Sequence, residues 1–93
     1  MVKFSIQDLT FRFGSDVALE GVTLNIPANQ ITVIFGPSHA GKSTLLRCLN
    51  RLNDLIVNEE TEFTGRILLD GQDIYAQEVD VTDLRRRVGM VFA

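Results

Sequence analysis

Tryptophan is absent from this 93-residue chain, and cysteine, histidine and tyrosine occur once each. A single cysteine, Cys48, excludes any internal disulfide. A single histidine, His39, excludes a multi-histidine metal site. No apolar run approaches the ~20 residues needed to cross a bilayer as a helix. No secretory pattern opens the chain, since Met1-Val2-Lys3 leads straight into alternating apolar and polar residues. Basic charge is also scarce: the net charge is −3, whereas general nucleic-acid affinity normally brings a basic surface. Internal repeats and low-complexity tracts are missing. Ninety-three residues leave room for one domain at most. Hydrophobic residues make up 45% and charged residues 23%, a globular balance rather than a disordered one. The expected setting is cytoplasmic.

The alternation comes first. Val2, Phe4 and Ile6 alternate with polar residues, and Leu9, Phe11 and Phe13 do so again in the opposite phase. The slip at Gln7-Asp8 predicts a bulged strand or two strand halves that face differently. Gly14-Ser15-Asp16 is a turn signal, and Val22, Leu24 and Ile26 form a second alternating strand ended by Pro27-Ala28-Asn29. Together these predict an antiparallel, half-exposed sheet.

Gly36-Pro37-Ser38-His39-Ala40-Gly41-Lys42-Ser43-Thr44 follows. Two glycines five apart and then Lys-Ser form the pattern of a phosphate-cradling P-loop. A nucleoside triphosphate concentrates negative charge in a small volume. Holding it takes inward N–H groups, a cation and a hydroxyl that helps place Mg²⁺. Glycine permits the close backbone approach, and a helix starting at Lys42 adds its positive end. Context supports the motif. Ile31-Thr32-Val33-Ile34-Phe35 before it has the composition of a strand buried on both faces. After it, Leu45, Leu46, Cys48, Leu49 and Leu52 fall on one helical face, with Arg47, Asn50 and Arg51 on the other. The predicted unit is strand, P-loop, helix, running from Gln30 to about Asn53, and the fold class is α/β. Cys48 reads as a small core residue.

Residues 54–64 are polar and acidic and read as a solvated connection. Ile67-Leu68-Leu69 is a strand, Asp70-Gly71 a tight turn, and Asp80 to about Arg86 a short helix. Val88-Gly89-Met90-Val91-Phe92 reads as a second buried strand. The run Arg85-Arg86-Arg87 reads as a solvated helix end that complements the helix dipole. Asp70, Asp73, Asp80 and Asp83 do not have the spacing of a calcium loop.

Phe13-Gly14, the Gly-Pro-Ser-x-x-Gly-Lys-Ser-Thr loop, Thr64-Gly-Arg-Ile-Leu-Leu-Asp-Gly-Gln-Asp-Ile74 and Arg85-Arg-Arg-Val-Gly-Met-Val-Phe92, in that order, resemble the ATP-binding subunit of ABC transporters. Leu45 to Leu55, with Asp73-Ile74-Tyr75 and Val79-Asp80-Val81, resembles the phosphate-importer branch. The resemblance covers essentially the whole chain. It implies that Phe13 stacks on adenine, where a core-facing strand phenylalanine is the competing reading. It implies that Lys42 reaches the β- and γ-phosphates, that Ser43 coordinates Mg²⁺, and that Thr44 with the backbone N–H groups of Gly41 to Thr44 holds the α- and β-phosphates. Gly36, Pro37, Ser38, His39 and Ala40 complete the loop.

Two positions depart from the family pattern. His39 stands where the family has glycine, and a positive φ there would cost about 1–2 kcal/mol. Ala93 stands where the family has a glutamine that senses Mg²⁺ and the membrane partner. The resemblance also implies parts that these residues do not carry: an acidic Walker B strand end with its following glutamate, a switch histidine and a Leu-Ser-Gly-Gly-Gln signature. The expectation is therefore an N-terminal part, residues 1–93, of one incomplete ABC nucleotide-binding domain that binds ATP and Mg²⁺ without turning ATP over alone. In full-length form such a subunit would dimerise and dock on membrane permease subunits at the cytoplasmic face. It would energise uptake, expected to be of phosphate, by hydrolysis. A non-hydrolysing nucleotide-binding module, a non-functional remnant and a non-transport member of the superfamily stand as alternatives.

Overall fold

The alternating N-terminal residues build the frame of the molecule. A computed structural model describes residues 1–35, 41–53 and 61–91. Strands β1 (Val2–Phe13) and β2 (Asp16–Pro27) form an antiparallel hairpin, and β1 also pairs antiparallel with β3 (Thr61–Leu69), which ends against the short β4 (Gln72–Asp73). The order across the sheet is β2-β1-β3-β4. Helices α1 (Lys42–Cys48) and α2 (Val81–Arg87) complete the described elements.

The phase slip in β1 is a bulge, as the pattern predicts. Pairing with β2 shifts register between Ile6 and Leu9, and pairing with β3 shifts between Gln7 and Thr10. Asp8 sits at φ 48°. Its N–H donates to Thr23 Oγ1 at 3.1 Å, and that hydroxyl donates back to Asp8 Oδ1 at 3.3 Å. Across the bulge, a Cβ on Gly65 would lie 2.4 Å from Asp8 O, so only glycine fits there. The extra residue keeps Ile6, Leu9 and Phe11 all buried, which strict alternation would prevent.

The core joins sheet and helices. Ile6, Leu9, Phe11, Leu19, Ile67 and Leu69 from the strands cluster with Leu45, Cys48 and Leu49 of and after α1, with Ile74, and with Leu84 of α2. Each fully buried large aliphatic or aromatic side chain contributes about 1.5–3 kcal/mol. Asp80 caps α2 by accepting from the N–H groups of Thr82 and Asp83. Asp70 and Gly71, at φ 52° and 84°, make the tight turn between β3 and β4.

Several sequence expectations need correction. Ile31–Phe35 forms no strand and exposes Ile31 (95%), Val33 (73%) and Phe35 (88%). Residues 88–91 likewise form no strand. Apolar, β-branched composition makes a strand only where a neighbour completes its ladder, and among the described residues none pairs with either segment. The strand of the expected strand–P-loop–helix unit is thus not formed. β3 begins at Thr61, because Thr61 to Thr64 pair with Phe13 to Thr10, so the polar connection is shorter than expected. The α-helix ends at Cys48, with Leu46 exposed and Asn50 buried, the reverse of their expected faces. Residues 36–40, 54–60 and 92–93 lie outside the described residues.

Candidate functional site

Gly41 is the pivot of the phosphate-loop motif. It takes the left-handed conformation, φ 85° and ψ 6°, and is the N-cap of α1. A Cβ at this position would lie 2.3 Å from Ala18 O and 3.0 Å from Leu19 Cδ2. Glycine therefore serves two purposes, an unusual dihedral and a close approach of the helix start to β2. α1 begins at Lys42, as the motif predicts, and Leu45 N–H donates to Gly41 O at 2.9 Å. Gly41 has no side chain to cap the first-turn N–H groups, and no acidic residue stands in that turn. Lys42 is half-buried, Ser43 exposed and Thr44 buried.

Phe13 closes the same end of the sheet. It pairs with Asp16 across the turn at Gly14-Ser15, two residues before Ala18. Its ring is half-buried and lies 4.8 Å from the Phe11 ring, tilted by 59°. Phe11 meets Phe63 edge-on at 5.9 Å, and Phe63 meets Tyr75 at 4.6 Å. The fold brings Phe13 and the start of α1 to one end of the β1–β2 hairpin. Of the other motif residues, Gly36, Pro37, Ser38, His39 and Ala40 lie outside the described residues, as does Ala93.

The far end of α1 is held by residues that the motif does not include. Arg85 Nε donates to Asn50 O at 3.3 Å, and its Nη2 to Arg51 O at 2.9 Å. Arg85 is thus not solvated as expected: it closes carbonyls left open where the helix stops. Only its neighbours Arg86 and Arg87 are exposed, and Arg87 pairs with Asp70, which Lys3 also contacts. Tyr75 OH donates to Cys48 O at 3.3 Å, and the Arg51 guanidinium lies 4.8 Å from the Tyr75 ring centroid. Asn53, buried beyond the helix, donates through Nδ2 to Thr44 O and to Cys48 Sγ, both at 3.0 Å. Arg47 Nε donates to Asn53 Oδ1 at 3.1 Å. Cys48 is a core residue, as expected. The stretches that carry the family resemblance include Asn53 and Arg85 but gave neither a role in holding α1. The available signal was a polar residue continuing the helical apolar spacing at position 53, four beyond Leu49.

With this geometry in view, similarity to known proteins is extensive. Residues 19–93 match the ABC transporter family. The chain is 52% identical over 90 residues to the phosphate import ATP-binding protein PstB of Salinibacter ruber, covering 97% of this chain and 35% of that protein. It is 52% identical over 89 residues to the phosphate import ATP-binding protein PstB 2 of a Synechococcus species, covering 96% and 33%. Among solved structures, a bacterial Atm1-family ABC exporter with ATP bound superimposes with a TM-score of 0.71 at 35% identity, over 90% of this chain and 13% of that one. The chain spans about a third of the length of the curated relatives it matches.

Proposed function

The chain belongs to the ABC transporter family, and from that premise we propose that it supplies nucleotide-binding residues of an importer's ATP-binding subunit, with phosphate as the transported solute. One observation carries the reading: Lys42, Ser43 and Thr44 form the first turn of α1 directly behind a left-handed Gly41 seated on β2. First-turn N–H groups, a cation and a hydroxyl are thereby gathered at one helix start, which is the donor set that a triphosphate requires.

In this reading Lys42 neutralises the β- and γ-phosphates, and the N–H groups of Gly41 to Thr44 hold the α- and β-phosphates, with Gly36 to Ala40 completing the cradle. The Ser43 hydroxyl, exposed on the first turn, ligates Mg²⁺. The metal, when bound, supplies charge neutralisation between phosphate oxygens. Phe13, half-buried beside Phe11, offers a ring face to adenine. A ring needs no base-specific hydrogen bond to stack.

Phosphoryl transfer depends on positioned water and on charges stabilising the transition state. The acidic strand end, switch histidine and signature loop implied by the family do not occur among these residues. The 93-residue chain therefore binds MgATP without sustained turnover. The 52% identity to phosphate import ATP-binding proteins supports phosphate as the solute. It also supports permease subunits and a second ATP-binding subunit as partners at the cytoplasmic membrane face.

Calorimetry of MgATP with the folded chain tests the binding step. Saturable binding lost in Lys42→Ala is the expected result, and a folded chain without saturable binding overturns the reading. For the solute, this chain is exchanged for the matching third of a related phosphate importer subunit. Restored phosphate uptake is expected, and an expressed, assembled chimera without phosphate uptake rejects the assignment.

A further inference from the structure

Asn53 is the most deeply buried polar side chain among the described residues, 1% exposed, and all three of its side-chain hydrogen bonds go to α1. Its Nδ2 group donates to Thr44 O and Cys48 Sγ, and its Oδ1 accepts from Arg47 Nε. The contact to Thr44 reaches back nine residues, past the last turn of the helix, to the turn that also carries Lys42 and Ser43. A helix of seven residues is marginal in isolation, so tertiary contacts decide where its axis lies. At its start the contact is Gly41 against Ala18 O. Within the first turn, the Asn53 amide makes a directional polar contact from outside the helix.

We propose that Asn53 is a positioning residue for the nucleotide site: its amide pins the Thr44 peptide and so orients the first turn that presents Lys42, Ser43 and Thr44 to the triphosphate. This assignment rests on the nucleotide-binding reading. An N–H donor turned away from its phosphate oxygen loses strength steeply as the bond bends. A rotated first turn therefore weakens phosphate binding even where the chain stays folded. The amide end is the operative one. Arg47 contacts only the oxygen, lies partly exposed, and serves to hold the amide in its orientation.

The test compares MgATP affinity of the 93-residue chain with Asn53→Asp and Arg47→Ala variants by calorimetry. Readings are taken at a temperature where circular dichroism shows each to be fully folded. Asn53→Asp keeps the oxygen that faces Arg47 and removes the donor to Thr44. The expected result is a roughly three- to tenfold weaker affinity in Asn53→Asp, the effect of one hydrogen bond, with less than about twofold change in Arg47→Ala. A merely structural Asn53 would lower the melting temperature and leave the affinity of the folded chain unchanged, and that outcome overturns the proposal. Should Asn53→Asp not fold, Asn53→Ala, which introduces no charge, supplies the same comparison. Failure of both to fold assigns Asn53 to stability alone and also overturns it. Unaltered chain that folds without binding MgATP rejects the nucleotide-binding reading itself and this assignment with it. Binding that is equal in unaltered chain and folded variant rejects only the role of Asn53.

Discussion

Two glycines show how much a single missing Cβ can decide. Gly41 and Gly65 both have positive φ, and at each a Cβ would press on a backbone carbonyl oxygen, Ala18 O at 2.3 Å and Asp8 O at 2.4 Å. Only the first has a motif that states why glycine is needed there. Gly41→Ala combines a left-handed alanine, about 1–2 kcal/mol, with a clash that pushes α1 away from β2. The expected loss is at least about 2 kcal/mol, read as a lower urea midpoint. Gly71, also at positive φ, has open space around it. Gly71→Ala should cost only the dihedral term, about 1–2 kcal/mol. An equal loss at Gly41 and Gly71 would contradict the close approach at Ala18. Gly41 was legible in the sequence because its motif demands it. Gly65 was not, because its reason lies in a bulge on another strand.

Helix ends carry the argument at the next scale. α1 stops at Cys48 although its apolar pattern continues; Tyr75 from the loop after β4 closes the Cys48 carbonyl, and Arg85 from α2 closes those of Asn50 and Arg51 beyond it. Three adjacent arginines thus have different fates. Arg85→Ala removes charge-assisted hydrogen bonds to two half-buried carbonyls, a loss of about 2 kcal/mol. Arg87→Ala removes an exposed pair with Asp70 and should cost less than about 1 kcal/mol. Denaturant unfolding of the two variants side by side checks the difference, and equal losses would rule out the clamp. Composition alone reads the run as a solvated helix end, which describes Arg86 and Arg87. Arg85 differs because the fold carries α2 to the end of α1.

For the molecule as a whole, the described surface is unusual in its apolar segments. Ile31, Val33 and Phe35 are exposed together, and Leu46, Leu49, Val88 and Met90 line an apolar groove of about 210 Å³ that Val91 borders. Exposed apolar surface of this kind drives association. The unaltered chain is expected to enhance the fluorescence of an apolar dye and to elute larger as its concentration rises. The double substitution Val33→Lys with Phe35→Lys should reduce both effects while leaving the far-ultraviolet circular dichroism in place, since neither side chain is in the buried core. Persistence of dye binding and association in that variant would assign them to another surface. The same scale governs turnover. Steady ATP hydrolysis by the purified 93 residues, abolished by Lys42→Ala, would refute binding without catalysis.

Much that depends on neighbouring residues was already present in the linear order. Apolar alternation predicts the hairpin and its bulge, Asp70-Gly71 the tight turn, Asp80 the start of α2, and the glycine-lysine motif the start of α1 at Lys42. These features depend on dihedral preference, side-chain period and local capping, which act over a few residues. Strand formation at Ile31–Phe35 and Val88–Phe92 could not be decided in that way. A strand requires hydrogen bonds from a partner distant in sequence, and residues 31–35 and 88–91 have none in the described sheet. The roles of Asn53 and Arg85 were equally out of reach, because a polar side chain takes its meaning from the carbonyl that the folded chain brings within 3.5 Å of it. Short-range chemistry wrote the elements into the sequence, and long-range pairing and burial chose which of them formed and what holds α1 in place.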